Sequence, residues 1–331
     1  MKISVFGAGA IGGLIAGKIA ACGQACTLVA RGDAVDRLTR SGISVAERGQ
    51  VYDGKPLVID SADTANAGPQ DIVILATKAH QLEPALPSIA PLVGPETTIV
   101  PAINGIPWWY THGVRQKAIA GRTLASVDPA GALAKALPAE LVAGCVVYIA
   151  AEIQEPGVIN SVGPRRLMLG GVTPAGRSGA EKVAAVLGAA DFTAPVEDDI
   201  RQTVWIKLWG NLHANPISVL TAATMAQTAN DPHVRAVSRA MMAEAAEVAA
   251  ACGVDLEMSI DERLDQGKGL GAFKTSMLQD FEKGRPIELD AILGAVIELA
   301  DLLSIETPML KAVYGLTRLR AITAGCYTGP A

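Results

Sequence analysis

Apolar residues in the first half of the chain fall in short runs, separated by stretches with helical spacing. Lys2–Phe6 is β-prone and flows directly into a helix-prone stretch, Ala10–Ala21. Ala25–Val29 predicts a second strand after the stop at Gly23. Asp71–Ala76 is rich in β-branched residues and reads as a buried parallel strand, and Thr97–Val100 reads as another, ahead of an Asn104-Gly105 turn. Val142–Ile149, Val158–Ser161 and Leu167–Leu169 are further strands, separated by turn signals at Pro156-Gly157 and Gly163-Pro164. Repeated strand–helix–strand passages predict a doubly wound sheet.

Beyond about residue 195 the strand signals almost vanish. Asp198 or Asp199 is placed to cap a helix carrying Trp205, Leu208, Trp209 and Leu212 at helical spacing. A long helix runs from Asp231, with Pro232 at its first position, to a Cys252-Gly253 stop. Leu270–Glu282, Glu288–Leu303 and Pro308–Ala321 predict the remaining helices. The pattern divides the chain into a nucleotide-binding α/β domain of the Rossmann type, residues 1–195, and a mainly α-helical domain, residues 196–331. The second is expected to carry substrate and catalytic groups.

Composition narrows the class. The 331 residues are 50% hydrophobic and 18% charged, with a net charge of −5. That suits a chain with two cores and excludes a disordered one. No long basic block is present, which argues against nucleic acid or anionic lipid as partner. The longest apolar run, Leu141–Ala151, is too short to span a bilayer, and the first residues begin a strand rather than a signal peptide. Five scattered cysteines without a C-x-x-C pair point to neither a disulfide framework nor a zinc site, and four dispersed histidines suggest no metal. A cytoplasmic setting is expected.

The first chemistry lies in Gly7-Ala8-Gly9-Ala10-Ile11-Gly12, a G-x-G-x-x-G loop between a strand and a helix. Gly7 makes the tight turn, Gly9 lets the backbone approach a pyrophosphate, and Gly12 lets helix and strand pack closely. The helix N-terminus offers unpaired N–H groups to the anion. Gly7, Gly9, Ala10, Ile11 and Gly12 are therefore the candidate cofactor-binding positions of the loop. The second strand ends Leu28-Val29-Ala30-Arg31, placing an arginine where NAD-binding relatives of this fold carry a carboxylate. A guanidinium pairs well with a 2′-phosphate, so Arg31 points to NADP(H); the plainer reading is a solvent-facing loop arginine.

In the second half, Lys207, Asn211 and Asn215 stand at i, i+4 and i+8, along one helical face. They offer a proton donor and neutral hydrogen-bonding groups at successive heights. Pro216 predicts a kink or an end of the helix near Asn215. A second polar cluster covers Lys274–Asp280, followed by Gly284–Asp290.

Together these motifs resemble the ketopantoate reductase (2-dehydropantoate 2-reductase) family. The resemblance runs along almost the whole chain: Gly7–Gly12, Lys78, Asn104-Gly105, Lys207-x-x-x-Asn211-x-x-x-Asn215-Pro216, Ser276-Met-x-Gln-Asp280 and Glu288-x-Asp290. It implies NADPH-dependent reduction of a 2-keto acid to a 2-hydroxy acid, ketopantoate to (R)-pantoate, in a cleft between a Rossmann domain and a helical domain. By position, Lys207 matches the general acid, and Glu288 the carboxylate that bonds substrate hydroxyl and influences the lysine. Ser276 and Asn104 match residues that hold the substrate carboxylate, and Asn211 and Asn215 those that bind hydroxyl and keto groups. Lys78 and Asn104 match the nicotinamide side. Each has a plainer alternative: capping or charging a helix end for Glu288, turns for Ser276 and Asn104, an exposed helix lysine for Lys207, a structural part for Lys78.

The chain departs from the family after Asn104-Gly105, where Trp108-Trp109-Tyr110 replaces a small glycine-containing turn. These aromatics either reshape a pocket or anchor the loop in a core or interface. A related reductase for another branched or hydroxylated 2-keto acid, and a dinucleotide-sensing protein without turnover, are the alternative functions. A homodimer through the helical domain is left open, as is a structural pairing of Arg285 with Asp290.

Overall fold

The computed structural model describes residues 1–269 and 271–329 and divides into two compact units. The first comprises residues 1–103 and 132–200, the second residues 104–131 and 201–331.

The first unit contains two sheets. Strands β1 (Ile3–Phe6), β2 (Thr27–Ala30), β5 (Leu57–Asp60), β6 (Ile72–Leu75) and β7 (Thr98–Pro101) form a parallel sheet in the order β5-β2-β1-β6-β7. This is the doubly wound sheet expected. The second sheet, in the order β4-β3-β9-β8, joins β3 (Ile43–Glu47), β4 (Gln50–Gly54), β8 (Ala143–Glu155) and β9 (Val158–Gly171). Helices α1 (Ala10–Ala21), α2 (Asp33–Ser41), α3 (Thr64–Ala67), α4 (Leu82–Ile89), α5 (Ala132–Ala136) and α6 (Pro174–Ala189) complete the unit.

Helix α1 packs against strands of both sheets, and residues of all three share one core. That explains its sequence: AIGGLIAGKIAA is apolar nearly all round because it has almost no face left for water. Its glycines are where the second sheet comes closest. A Cβ on Gly13 would meet Ile159 Cδ1 at 2.6 Å, and one on Gly17 would meet Ile43 Cγ2 at 2.7 Å. Lys18 is the exception within this helix. Its ammonium is buried beside Glu47 at 3.0 Å and lies over the Tyr52 ring at 4.3 Å. Arg165 and the Ser161 hydroxyl also reach Glu47, at 3.2 and 3.3 Å, so the carboxylate is fully engaged.

Strand β9 corrects the sequence reading. Val158–Ser161 and Leu167–Leu169 are parts of one strand, and Gly163-Pro164 is not a turn between two. Tyr148 pairs with Arg166 and Ala150 with Val162, so the extra residues on β9 are absorbed as a bulge, with Gly163 at φ +88°. The Pro156-Gly157 signal does mark the hairpin between β8 and β9.

The second unit is helical: α7 (Ile200–Thr221), α8 (Met225–Asn230), α9 (Pro232–Ala251), α10 (Ile260–Lys268), α11 (Ser276–Glu282), α12 (Ala295–Leu302) and α13 (Pro308–Thr323). A π-helical turn at Asp290–Gly294 leads into α12. Asp231 caps α9 by accepting from the N–H groups of His233 and Val234. Helix α11 starts six residues later than the apolar pattern suggests, because the Thr275 hydroxyl caps it by accepting from Leu278 N–H. Leu270, the expected start, lies outside the described residues.

Of the two outcomes expected at Pro216, an end of the helix is not seen: α7 runs on to Thr221. A proline forfeits the rung to the carbonyl four residues back, here Leu212. Burial of Leu212, Ala214, Ile217 and Val219 holds the helix together across that gap.

Residues 104–131 join the helical unit rather than the sheet from which they emerge. Trp108, Trp109 and Tyr110 are all buried, and the Trp205 indole N–H donates to the Tyr110 hydroxyl at 2.6 Å. Arg201 donates to the Tyr110 and His112 carbonyls. Glu298 of α12 accepts from the N–H groups of Ala125 and Ser126 at 2.7 and 2.8 Å. The aromatic triplet is thus core of the second unit, which resolves the two readings left open for it. Among the described residues, no helix is long and apolar enough to cross a membrane.

Candidate active site

The sequence-derived residues fall in both units. In the first unit, the glycine loop lies at the C-terminal end of β1, where the strand order reverses between β2 and β6. Such a switch point is where open α/β sheets bind ligands. Gly7 adopts φ +111°, and a Cβ there would stand 2.9 Å from the Ala76 carbonyl oxygen. A Cβ on Gly12 would stand 1.9 Å from Gly7 O. Both glycines are therefore required by the protein's own backbone. Gly9 differs, since its nearest neighbour would be 4.0 Å away, leaving open space on that side.

Helix α1 has no side-chain cap, and its first rung is Gly13 N–H to Gly9 O at 2.8 Å. The N–H groups of Ala10, Ile11 and Gly12 precede that rung and are available to an anion. Arg31 is exposed immediately after β2, as a ligand for a 2′-phosphate must be. Lys78 follows β6 on the other side of the switch point. Thr77 was missed in the sequence: its hydroxyl is buried without a partner, beside Gly7. Its position just past the end of β6, next to Lys78, was the available signal. These residues fit a dinucleotide: a glycine cradle open at Gly9, unpaired N–H groups, and a free cation at the second strand's end.

In the second unit, α7 carries Lys207, Asn211 and Asn215 on one face, with Trp205, Leu208, Trp209 and Leu212 buried around them. The Lys207 ammonium donates to Asn104 Oδ1 at 2.6 Å, a charge-assisted bond. Asn104 is held there by its neighbours. Gly105, at φ +87°, lies so close to Ala291 that a Cβ would fall 2.2 Å from its carbonyl oxygen, and Ile106 N–H donates to that same oxygen at 2.8 Å.

Asn215 is buried, and its Nδ2 has no protein partner. Its carbonyl accepts from the Ser218 hydroxyl at 2.7 Å, and Ser218 is in turn 2.6 Å from the Thr275 hydroxyl. This relay ties Asn215 to the cap of α11, whose first residue is Ser276, an exposed side chain. Glu288 is buried two residues before the π-helical turn. Asp290, suggested as a partner of Arg285, instead accepts from two tyrosine hydroxyls, while Arg285 pairs with Asp280 at 2.9 Å. His213, within the Asn211–Asn215 stretch, is held neutral: burial and then the Arg263 charge push its pKa down to about 3.

Comparison with known proteins places this geometry in a group. The model described as ketopantoate reductase PanE/ApbA matches residues 3–174, and its C-terminal counterpart matches residues 199–321. A 2-dehydropantoate 2-reductase of Mesorhizobium japonicum is 43% identical over 332 aligned residues, covering 99% of this chain and 100% of that protein. A solved structure from Ralstonia solanacearum MolK2 superposes with a TM-score of 0.91 at 38% identity, covering 98% and 99% of the two chains. D-mandelate dehydrogenase, solved with NADH and anilino(oxo)acetate, shares the fold at a TM-score of 0.83 and 21% identity, with 98% and 99% covered.

Proposed function

The chain belongs to the ketopantoate reductase family, and from that premise we propose how its residues divide the reaction between them. The reaction is the NADPH-dependent reduction of 2-dehydropantoate, a 2-keto acid, to (R)-pantoate, the 2-hydroxy acid. The Gly7–Gly12 loop, Arg31 and Lys78 would hold NADP(H), which supplies a hydride when bound. A ketone gaining hydride becomes an alkoxide, so what the protein must add is a proton and a stabilising charge.

Lys207 meets both needs. Its ammonium carries the charge and donates the proton, and the bond to Asn104 fixes its aim. Lysine suits this role better than arginine, whose guanidinium does not give up a proton. Asn211 and Asn215 offer neutral donors to the substrate's keto and hydroxyl oxygens, while Ser276 and Asn104 take its carboxylate. Glu288 accepts from a substrate hydroxyl and favours the charged lysine.

The observation that carries this reading is the buried, partnerless Nδ2 of Asn215 on the lysine face. Leaving such a donor unpaired costs about 1–3 kcal/mol, a cost removed when a ligand oxygen accepts from it. The fold does not choose the acid, since D-mandelate dehydrogenase shares it. The site residues therefore carry the substrate assignment. The five free cysteines support a reducing, cytoplasmic setting. The exposed apolar face of α13, with Leu316, Leu319 and Ile322, supports a homodimer, which light scattering of the purified protein checks.

The test is NADPH oxidation across a panel of 2-keto acids with wild type and Lys207→Ala. Ketopantoate is expected to be turned over far faster than the others. Lys207→Ala should lose roughly 10²- to 10⁴-fold in kcat with NADPH still bound. Equal rates for the two proteins would remove Lys207 as proton donor, and preference for another acid would remove ketopantoate as the substrate.

A further inference from the structure

The Lys207–Asn104 bond depends on a piece of backbone far from α7. Asn104 is seated through Gly105 and Ile106 on the carbonyl of Ala291, the second residue of the π-helical turn Asp290–Gly294. Glu288 lies two residues before the same turn. Two candidate site residues are thus placed by five residues of irregular helix. Single π-helical turns are rare and concentrate at functional sites, and this one needs something to hold it.

What holds it is α13 and the segment that follows it. The hydroxyls of Tyr314, on α13, and Tyr327, beyond it, donate to the same Oδ1 of Asp290 at 2.7 and 2.9 Å. They stand 3.3 Å from each other. Burial pushes the pKa of both phenols up, which keeps them protonated as donors. The adjacent backbone is fastened too: Ile287 N–H donates to the Cys326 carbonyl at 3.0 Å. The segment Ile287–Ala291 is therefore clamped at both ends, by the Cys326–Tyr327 segment on one side and by the Asn104–Ile106 turn on the other.

We infer that Asp290, gripped by Tyr314 and Tyr327, is a positioning residue that sets the aim of Asn104, and through it of the Lys207 ammonium. The inference rests on the proposed roles of Lys207 and Asn104. Asp290 acts through geometry: its carboxylate oxygen is an acceptor for two phenols. An acceptor of the same shape should therefore serve nearly as well, and an apolar side chain should not.

The experiment is steady-state kinetics with ketopantoate and NADPH on the full chain, with NADPH affinity measured separately by fluorescence titration. Asp290→Asn keeps an oxygen at Oδ1 and should stay within about threefold of wild type. Asp290→Leu, and the double variant Tyr314→Phe/Tyr327→Phe, should lose about 10- to 100-fold in kcat, as a displaced catalytic group does. Their NADPH affinity should stay within twofold. Introducing Asp290→Leu into Asn104→Ala should add little further loss, because both act on one element. Wild-type kcat in both Asp290→Leu and the double phenylalanine variant, or losses that multiply with those of Asn104→Ala, would overturn the inference. Wild-type rates for Lys207→Ala and Asn104→Ala in the same assay would instead overturn the site on which it rests.

Discussion

Replacing Lys18 by methionine removes a buried cation from α1, which packs against both sheets of the first unit. The methionine side chain fills much the same volume as the lysine stem, so little of the effect comes from a cavity. The main effect is on Glu47, whose side chain is 1% exposed and loses its ammonium partner at 3.0 Å. Breaking one side of a buried pair costs 3–5 kcal/mol in general. Glu47 keeps Arg165 at 3.2 Å and the Ser161 hydroxyl at 3.3 Å, which places the expected loss at the lower end, about 3 kcal/mol. For a unit of this size that lowers the melting temperature by roughly 6–12 °C. The chain offers a convenient separation of signals. Its four tryptophans, Trp108, Trp109, Trp205 and Trp209, all lie in the second unit. NADPH binding as a function of temperature reports on the first unit, and tryptophan fluorescence reports on the second. Lys18→Met/Glu47→Leu, which removes both charges, should recover most of the loss. A first unit as stable in Lys18→Met as in wild type would refute the reasoning, as would a double variant no better than the single one.

Arg31→Ala should weaken NADPH binding about 10- to 100-fold, the worth of charge-assisted hydrogen bonds, and leave NADH binding unchanged; equal losses for both would remove the 2′-phosphate from the argument. Tyr110→Phe leaves the Trp205 indole N–H buried without its acceptor. It should destabilise the second unit by about 1–3 kcal/mol, read as an earlier tryptophan fluorescence transition in urea. His213 is pushed down to about 3 from 6.5, so below pH 6.5 the unfolded chain takes up a proton that the native one refuses. Stability should therefore fall as pH drops from 6.5 toward 3, by up to about 1.4 kcal/mol per pH unit from this residue, and be unaffected by it above 6.5. Its ring resonance should not titrate between pH 5 and 8 in NMR spectra, with His213→Gln supplying the assignment.

Elements whose signals are local were legible in the sequence. Helix α1 runs from Ala10 to Ala21 as expected, because the glycine loop fixes its start and Gly23 its stop. Helix α9 begins at Pro232 after the Asp231 cap. Strands β4 and β5 carry no regular pattern, since Val51 and Leu57 are apolar yet more than 60% exposed, while β3 alternates but places Glu47 on its buried face. Helix α10 had a readable start, the reciprocal Ser259 and Glu262 capping bonds. Gly163-Pro164 and Pro216 are turn and breaker signals that pairing and burial overrode. Within the site, the stripe of Lys207, Asn211 and Asn215 follows from helical period alone. The seat of Asn104 on Ala291 does not, since it joins two loops distant in sequence and depends on a π-helical turn with no local signature.

The transfer of residues 104–131 to the helical unit has a consequence for synthesis. When the ribosome has released the first hundred residues, five strands of the parallel sheet are already available to pair. The next segment, with its three consecutive aromatics, has no core to enter until α7 and α12 have been made. Trp108, Trp109 and Tyr110 must wait, apolar and exposed, for nearly two hundred residues of further translation. That interval is the nascent chain's most vulnerable period and the natural point for a chaperone to engage it. It also means that a fragment beginning at residue 196 would lack a stave of its own core and should not fold.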